Sequence, residues 1–236
     1  MNFNTVDIFS ITHHRLPEFR LRRGDTCLLL VDWQYLDAHP DHGMIAAARE
    51  STGDEAVRYT VARLRSSIPN ARRLLEAFRS KGWEVIHVKI ESLTRDGRER
   101  SLHHKNLGIH APPGSKEAQV LAELAPSEDE IVLSKTCSSA FNGTMLNYIL
   151  RNIGISTLVI TGVRTGGCVE ATIRDAANLG YRVILVEDAC VDIAEARHLA
   201  ALEALADNYC QVSSTDDILK QLEADDSQLA APSAAS

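Results

Sequence analysis

Five stretches of the chain are apolar without alternation: Thr26–Gln34 (TCLLLVDWQ), Trp83–Ile90 (WEVIHVKI), Glu130–Lys135 (EIVLSK), Ser156–Gly162 (STLVITG) and Tyr181–Ala189 (YRVILVEDA). A strand with one wet face alternates apolar and polar. An unbroken run instead suits a strand buried on both faces, as in a parallel sheet covered by helices. Between these runs the apolar positions recur at helical spacing. Ile68–Arg79 places Leu74, Leu75 and Phe78 on one face; Thr144–Asn152, Cys168–Leu179 (closed by Gly180) and Ala194–Ala206 follow. NYCQVSS predicts a short last strand and TDDILKQLEA a last helix with Thr215 as N-cap. Strands alternating with helices predict βαβ units and a three-layer, doubly wound α/β domain with a mostly parallel sheet.

Two segments break the rhythm. Tyr35–Arg65 reads as a long polar insertion, partly helical, and Glu91–Lys116 as a long polar connection of the kind that serves as a lid or binding loop. Residues 1–224 read as a single domain with an N-terminal extension over 1–25, and the Ala/Ser/Asp-rich segment 225–236 as a disordered tail. The net charge of -7 disfavours nucleic acid and anionic membranes as partners. No apolar run approaches the ~20 residues of a membrane span, and the first residues lack the apolar core of a signal peptide. The expectation is a cytoplasmic, reducing compartment. The five cysteines are odd in number and include no C-x-x-C pair, which argues against a disulfide framework or a zinc ribbon.

Doubly wound sheets carry their sites at the C-terminal ends of the strands. Three chemically loaded residues fall there: Asp32, Lys135 and, just past the fourth run, Cys168 within TGVRTGGCVEAT. A helix N-terminus or a nearby cation lowers a thiol's pKa from about 8.5. Gly166 and Gly167 remove side chains from a substrate's approach, and the first N–H groups of the helix are free donors for developing negative charge. Local sequence alone leaves two readings open: a nucleophile, or a buried cysteine at a helix start.

LLLVDWQ, then IVLSKTCSSAFNGTMLNYIL, then ISTLVITGVRTGGCVEATIRDAANLGYRVILVEDAC together resemble the isochorismatase-like cysteine hydrolase superfamily in motif order and spacing, from about Thr26 to about Ile218. The resemblance implies a catalytic triad of Asp32, Lys135 and Cys168, a cis peptide between Val163 and Arg164, and an oxyanion hole made by the backbone N–H groups of Arg164 and Cys168. It also implies a homo-oligomer and no cofactor. Arg164 departs from the family, which usually carries a small residue there.

Gln34, Glu91, Phe141 and Thr165 are the candidate substrate contacts. Glu91, at the end of the second run, is expected to accept the N–H groups of a ureido substrate. Asp37, His39 and His42 look at first like a metal site. The family's metal-binding nicotinamidase branch, however, carries its D-x-H after the second strand, and this chain has ESLTRDG there, so no metal is expected. The basic run through Arg95, Arg98, Arg100, His103, His104 and Lys105 reads as a solvated loop ahead of the alternative, an attractor for a carboxylate-bearing substrate. The expected activity is metal-free hydrolysis of a C–N bond in a small linear amide, such as a ureido or carbamoyl compound. A nicotinamidase-type amidase and a non-catalytic binding protein of the same fold are the alternatives.

Overall fold

β1 (Thr26–Val31) and β4 (Thr157–Val163) are buried at every position. Successive side chains of a strand point to opposite faces. Cys27, Leu29 and Val31 accordingly enter one hydrophobic cluster while Leu28 and Leu30 enter the other. With β2 (Glu84–Ile90), β3 (Ile131–Lys135), β5 (Arg182–Val191) and β6 (Gln211–Ser213) they form a six-stranded sheet in the order β3-β2-β1-β4-β5-β6, every pair parallel. The winding reverses between β1 and β4, where doubly wound sheets open a crevice. The structure, a computed structural model, describes residues 16–229.

The helices are α1 (Gly43–Thr52), α2 (Asp54–Ser80), α3 (Leu102–Asn106), α4 (Leu146–Asn152), α5 (Glu170–Asn178), α6 (Glu195–Leu205) and α7 (Thr215–Leu229). Buried residues of α2 and α7 join one cluster, and those of α4, α5 and the end of α6 join the other, giving the three layers. Among the described residues no helix is long and apolar enough to cross a membrane.

Three expectations are corrected here. α2 begins at Asp54, so most of the segment read as a polar insertion is helical. The last helix is capped by Ser214, whose Oγ accepts from the Asp217 N–H at 3.2 Å; Thr215 turns its own N–H and hydroxyl to Asp188 Oδ1. That helix also runs on to Leu229, into the segment read as a tail. Residues 1–15 and 230–236 lie outside the described residues.

Two irregularities position the strand ends. Gly162 has φ +154°, and a Cβ there would lie 2.3 Å from the Val31 carbonyl oxygen, so β1 and β4 meet closely only because residue 162 has no side chain. Beside it, Ile160 pairs with Leu185 but Gly162 with Cys190, so β5 bulges outward between these pairs. α2 takes up the carbonyls thus exposed. Arg63 donates to Glu187 O (2.6 Å) and Cys190 O (3.0 Å), and Asn70 donates to Asp188 O (3.0 Å).

Candidate active site

Asp32 follows β1 directly. Its φ is +54°, and its N–H donates to Val88 O at 2.8 Å, which turns the chain out of the sheet. Lys135 ends β3 and is fully buried. A lysine ammonium has three donors, and here each has a partner: Asp32 Oδ2 at 2.9 Å, Cys168 Sγ at 3.3 Å and the Cys137 carbonyl at 3.0 Å. Cys168 sits in a wide turn, Thr165–Val169, that leads from β4 into α5, and Thr172 Oγ1 donates to its carbonyl at 2.7 Å. Three strand ends thus bring one carboxylate, one ammonium and one thiol together out of water.

The electrostatics of this cluster differ from the expectation of a thiol acidified by a helix start. Burial, and then the Asp32 charge, push the Cys168 thiol well above its ordinary pKa, and the attraction of Lys135 only partly offsets them. Cys168 therefore rests as a neutral thiol facing a carboxylate. Burial also raises Asp32, against the pull of Lys135. Lys135 goes up as well: burial works against its charge, but Asp32 and then Cys168 outweigh burial.

The Val163–Arg164 peptide is cis. Gly166 does not open the approach to Cys168. A Cβ on it would press on Asp192 Oδ2 (3.2 Å) and on the Ala201 methyl (3.5 Å), and its N–H donates to Asp192 Oδ2 at 2.6 Å. Its small size lets the turn sit against α6. The Arg164 side chain is half-buried, and its charge acts on both Asp32 and Asp37.

The four candidate substrate contacts are occupied elsewhere. Gln34 is fully buried; its amide donates to Ile90 O (2.9 Å) and Glu117 O (2.8 Å) and accepts from the Ile90 N–H (2.6 Å), so it ties the connection after β1 to the end of β2. Glu91 is held by Lys89 Nζ (2.9 Å), Ser134 Oγ (2.7 Å) and the Gly114 N–H (3.1 Å). Lys89 pairs with Ser134, and Ile90 with Lys135. By the alternation of a strand, Glu91 therefore lies on the face away from the Lys135 side chain. The Phe141 ring packs 5.5 Å from that of Tyr181, which precedes β5. Thr165 is buried with its hydroxyl hydrogen-bonded to His198 Nδ1 at 2.8 Å.

Two other buried residues lie close enough to feel the charges of the cluster. Asp37 is buried and its Oδ1 has no hydrogen-bond partner among the described residues. Burial pushes its carboxyl up to about 6, against the pull of Arg164 and with Asp32 adding to the rise. His104 is fully buried with neither ring nitrogen partnered among the described residues; burial, then the nearby Lys135 charge, push it down to about 4. The sequence reading placed His104 in a solvated basic run. Its helical spacing from Ser101, which caps α3 by accepting the His104 N–H, was the available signal that it turns inward. His39 stacks on Tyr35 and His42 meets the same ring edge-on, at 4.9 and 5.4 Å between ring centroids. Among the described residues no three His, Cys, Asp or Glu side chains are grouped to hold a metal.

A doubly wound parallel sheet with a buried Asp, Lys and Cys gathered at the crevice where its winding reverses defines the architecture of this α/β protein. The isochorismatase domain model matches residues 26–217, and the chain belongs to that family. It is 32% identical over 162 residues to the N-carbamoylsarcosine amidase of an Arthrobacter species, a match covering 66% of this chain and 61% of that protein, so it spans less than two thirds of that relative's length. It is 29% identical over 210 residues to the ureidoacrylate amidohydrolase of Variovorax paradoxus, covering 85% of this chain and 82% of the relative. The crystal structure of N-carbamoylsarcosine amidase from Thermoplasma acidophilum superposes with a TM-score of 0.61 at 29% identity, over 81% of this chain and 97% of that one.

Proposed function

We propose that this protein is a cysteine amidohydrolase that cleaves a non-peptide C–N bond in a small linear ureido or carbamoyl compound. The observation that carries the reading is the buried contact of Lys135 with both Asp32 and Cys168, at 2.9 and 3.3 Å. The relatives named for carbamoyl and ureido substrates support the substrate class.

In this mechanism Asp32 is the base. Because Cys168 rests as a thiol, its proton must leave as sulfur attacks the carbonyl carbon, and the adjoining carboxylate receives it. Lys135 faces the sulfur as negative charge develops there and keeps Asp32 paired throughout. The N–H groups of Arg164 and Cys168 take the oxyanion. Collapse breaks the C–N bond, and Asp32 returns the proton to the departing nitrogen, leaving an acyl or carbamoyl group on sulfur. A water then attacks; Asp32 takes its proton, the C–S bond breaks, and the proton passes to sulfur. From a terminal ureido group the products are ammonia and a carbamate.

The test is ammonia release from N-carbamoyl amino acids, ureidoacrylate, biuret and nicotinamide by the wild-type protein and by Cys168→Ala. The expected result is turnover of ureido compounds with a higher kcat/KM than nicotinamide, reduced at least about a thousandfold in Cys168→Ala. A preference for nicotinamide would overturn the substrate class, and normal turnover in the variant would overturn the nucleophile.

A further inference from the structure

Buried polar groups without partners are few in folded proteins, and each requires an explanation. Two of them in this chain flank Lys135 from different segments. Asp37 lies one tight turn beyond Asp32: the Gln34 N–H donates to Asp32 O at 2.8 Å and the Asp37 N–H to Gln34 O at 3.3 Å. His104 lies on α3, which docks beside Lys135 through the bond from the Ser101 N–H to Thr136 O at 3.0 Å. Among the described residues Asp32 Oδ1 and, just past β2, Ser92 Oγ are unpartnered too, whereas Trp83 Nε1 precedes β2 and His87 Nδ1 sits in its middle, away from the strand ends. Leaving a buried acceptor unsatisfied costs about 1–3 kcal/mol, more for a charged one. Function often retains such costs at a site.

We propose that Asp37 and His104 are the recognition wall of the active site, with Asp37 accepting the N–H donors of a ureido or carbamoyl substrate and His104 binding the remainder of the same molecule. The proposal rests on the ureido reading above and supplies the specificity that Glu91, tied to Lys89, Ser134 and Gly114, does not. An ionised carboxylate only accepts hydrogen bonds, whereas a neutral imidazole offers one donor and one acceptor. Asp37 therefore discriminates sharply between a carbamoyl NH2 and a methyl group of the same size. His104, low in pKa and beside Lys135, meets the substrate as a neutral ring. Arg164 and Lys135 are the cations that act on Asp37 and favour its carboxylate as an acceptor, while burial and the Asp32 charge oppose them.

The experiment is calorimetric titration of N-carbamoylglycine and of N-acetylglycine, which replaces the terminal NH2 by CH3, into the full-length Cys168→Ala protein. The expected result is that N-carbamoylglycine binds about tenfold or more tightly than N-acetylglycine. Adding Asp37→Asn should shrink the preference to about threefold or less, without lowering Tm, because the substitution removes a buried carboxylate whose Oδ1 has no partner among the described residues. Adding His104→Phe should weaken both ligands about tenfold.

An unchanged preference in Asp37→Asn, a fall in Tm of several degrees accompanying the loss, or no binding of either ligand would overturn the proposal. Binding with the expected discrimination but no ammonia release by the wild type would remove the hydrolase reading and support this one. Ammonia release with an unchanged preference in Asp37→Asn would support the hydrolase reading and overturn this one.

Discussion

Each side chain of the site depends on how few alternatives its neighbours leave it. Lys135 has all three donors engaged, so its ammonium is fixed in place and its charge falls on both Asp32 and Cys168. That arrangement sets the pH behaviour. Asp32 must be ionised to take the thiol proton, and burial holds its pKa above the ordinary 3.8. Activity is therefore lost as pH falls through a value above the usual aspartate range. Lys135 is raised, so its titration removes no activity until above the usual lysine range. Asp37, at about 6, gains a proton as pH falls through that value and ceases to be a pure acceptor. The expected profile is a rise in KM for a ureido substrate below about pH 6, absent in Asp37→Asn, while the kcat limb of Asp32 remains. A KM that does not change between pH 5 and 7 would contradict the placement of Asp37 at the substrate.

Among the elements, the contact of β1 with β4 matters most, because it holds Asp32 beside the turn that carries Cys168. Gly162→Ala would put a Cβ 2.3 Å from Val31 O at φ +154°. The strands would have to part, and a cost of about 2 kcal/mol or more is expected in denaturant unfolding, together with a loss of kcat. A variant with wild-type stability and rate would contradict this account of the crevice. β1 and β4 were legible in the sequence because strands buried on both faces carry no charged interruptions. α2 was legible only in its second half. Its buried stripe runs through Val57, Thr60, Leu64, Ser67 and Ala71, where small and hydroxyl-bearing residues hide the period, and Pro69 inside the helix imitates a helix start. That Asp32, Lys135 and Cys168 come together was legible because two stand at strand ends, the third follows a strand through a short turn, and the three motifs resemble the family's in order and spacing. Glu91 misled because it also stands at a strand end but on the other face, and facing depends on register, which one sequence does not display. Thr165 and Gln34 misled because their polar groups satisfy buried backbone and His198 rather than a ligand.

For the whole molecule, the strand order β3-β2-β1-β4-β5-β6 places the reversal of winding at the pair that bears Asp32 and the Cys168 turn, while the neighbouring β3 brings in Lys135. The sheet is covered on both faces by helices, and the three groups of the proposed site are shielded from water: Asp32 and Lys135 are 0% exposed and Cys168 9%. Shielding strengthens the charge contacts and favours covalent chemistry on sulfur over side reactions with solvent. The central claim is therefore that a carbamoyl or acyl group passes through Cys168. The most direct measurement is mass spectrometry of protein quenched in acid during turnover of a ureido substrate, followed by mapping of the peptide that contains residue 168. The account predicts a mass increase on Cys168 equal to the transferred carbamoyl group, absent from Cys137 and from the Cys168→Ala protein. Sustained ammonia release by Cys168→Ala, or an adduct carried on another residue, would contradict it.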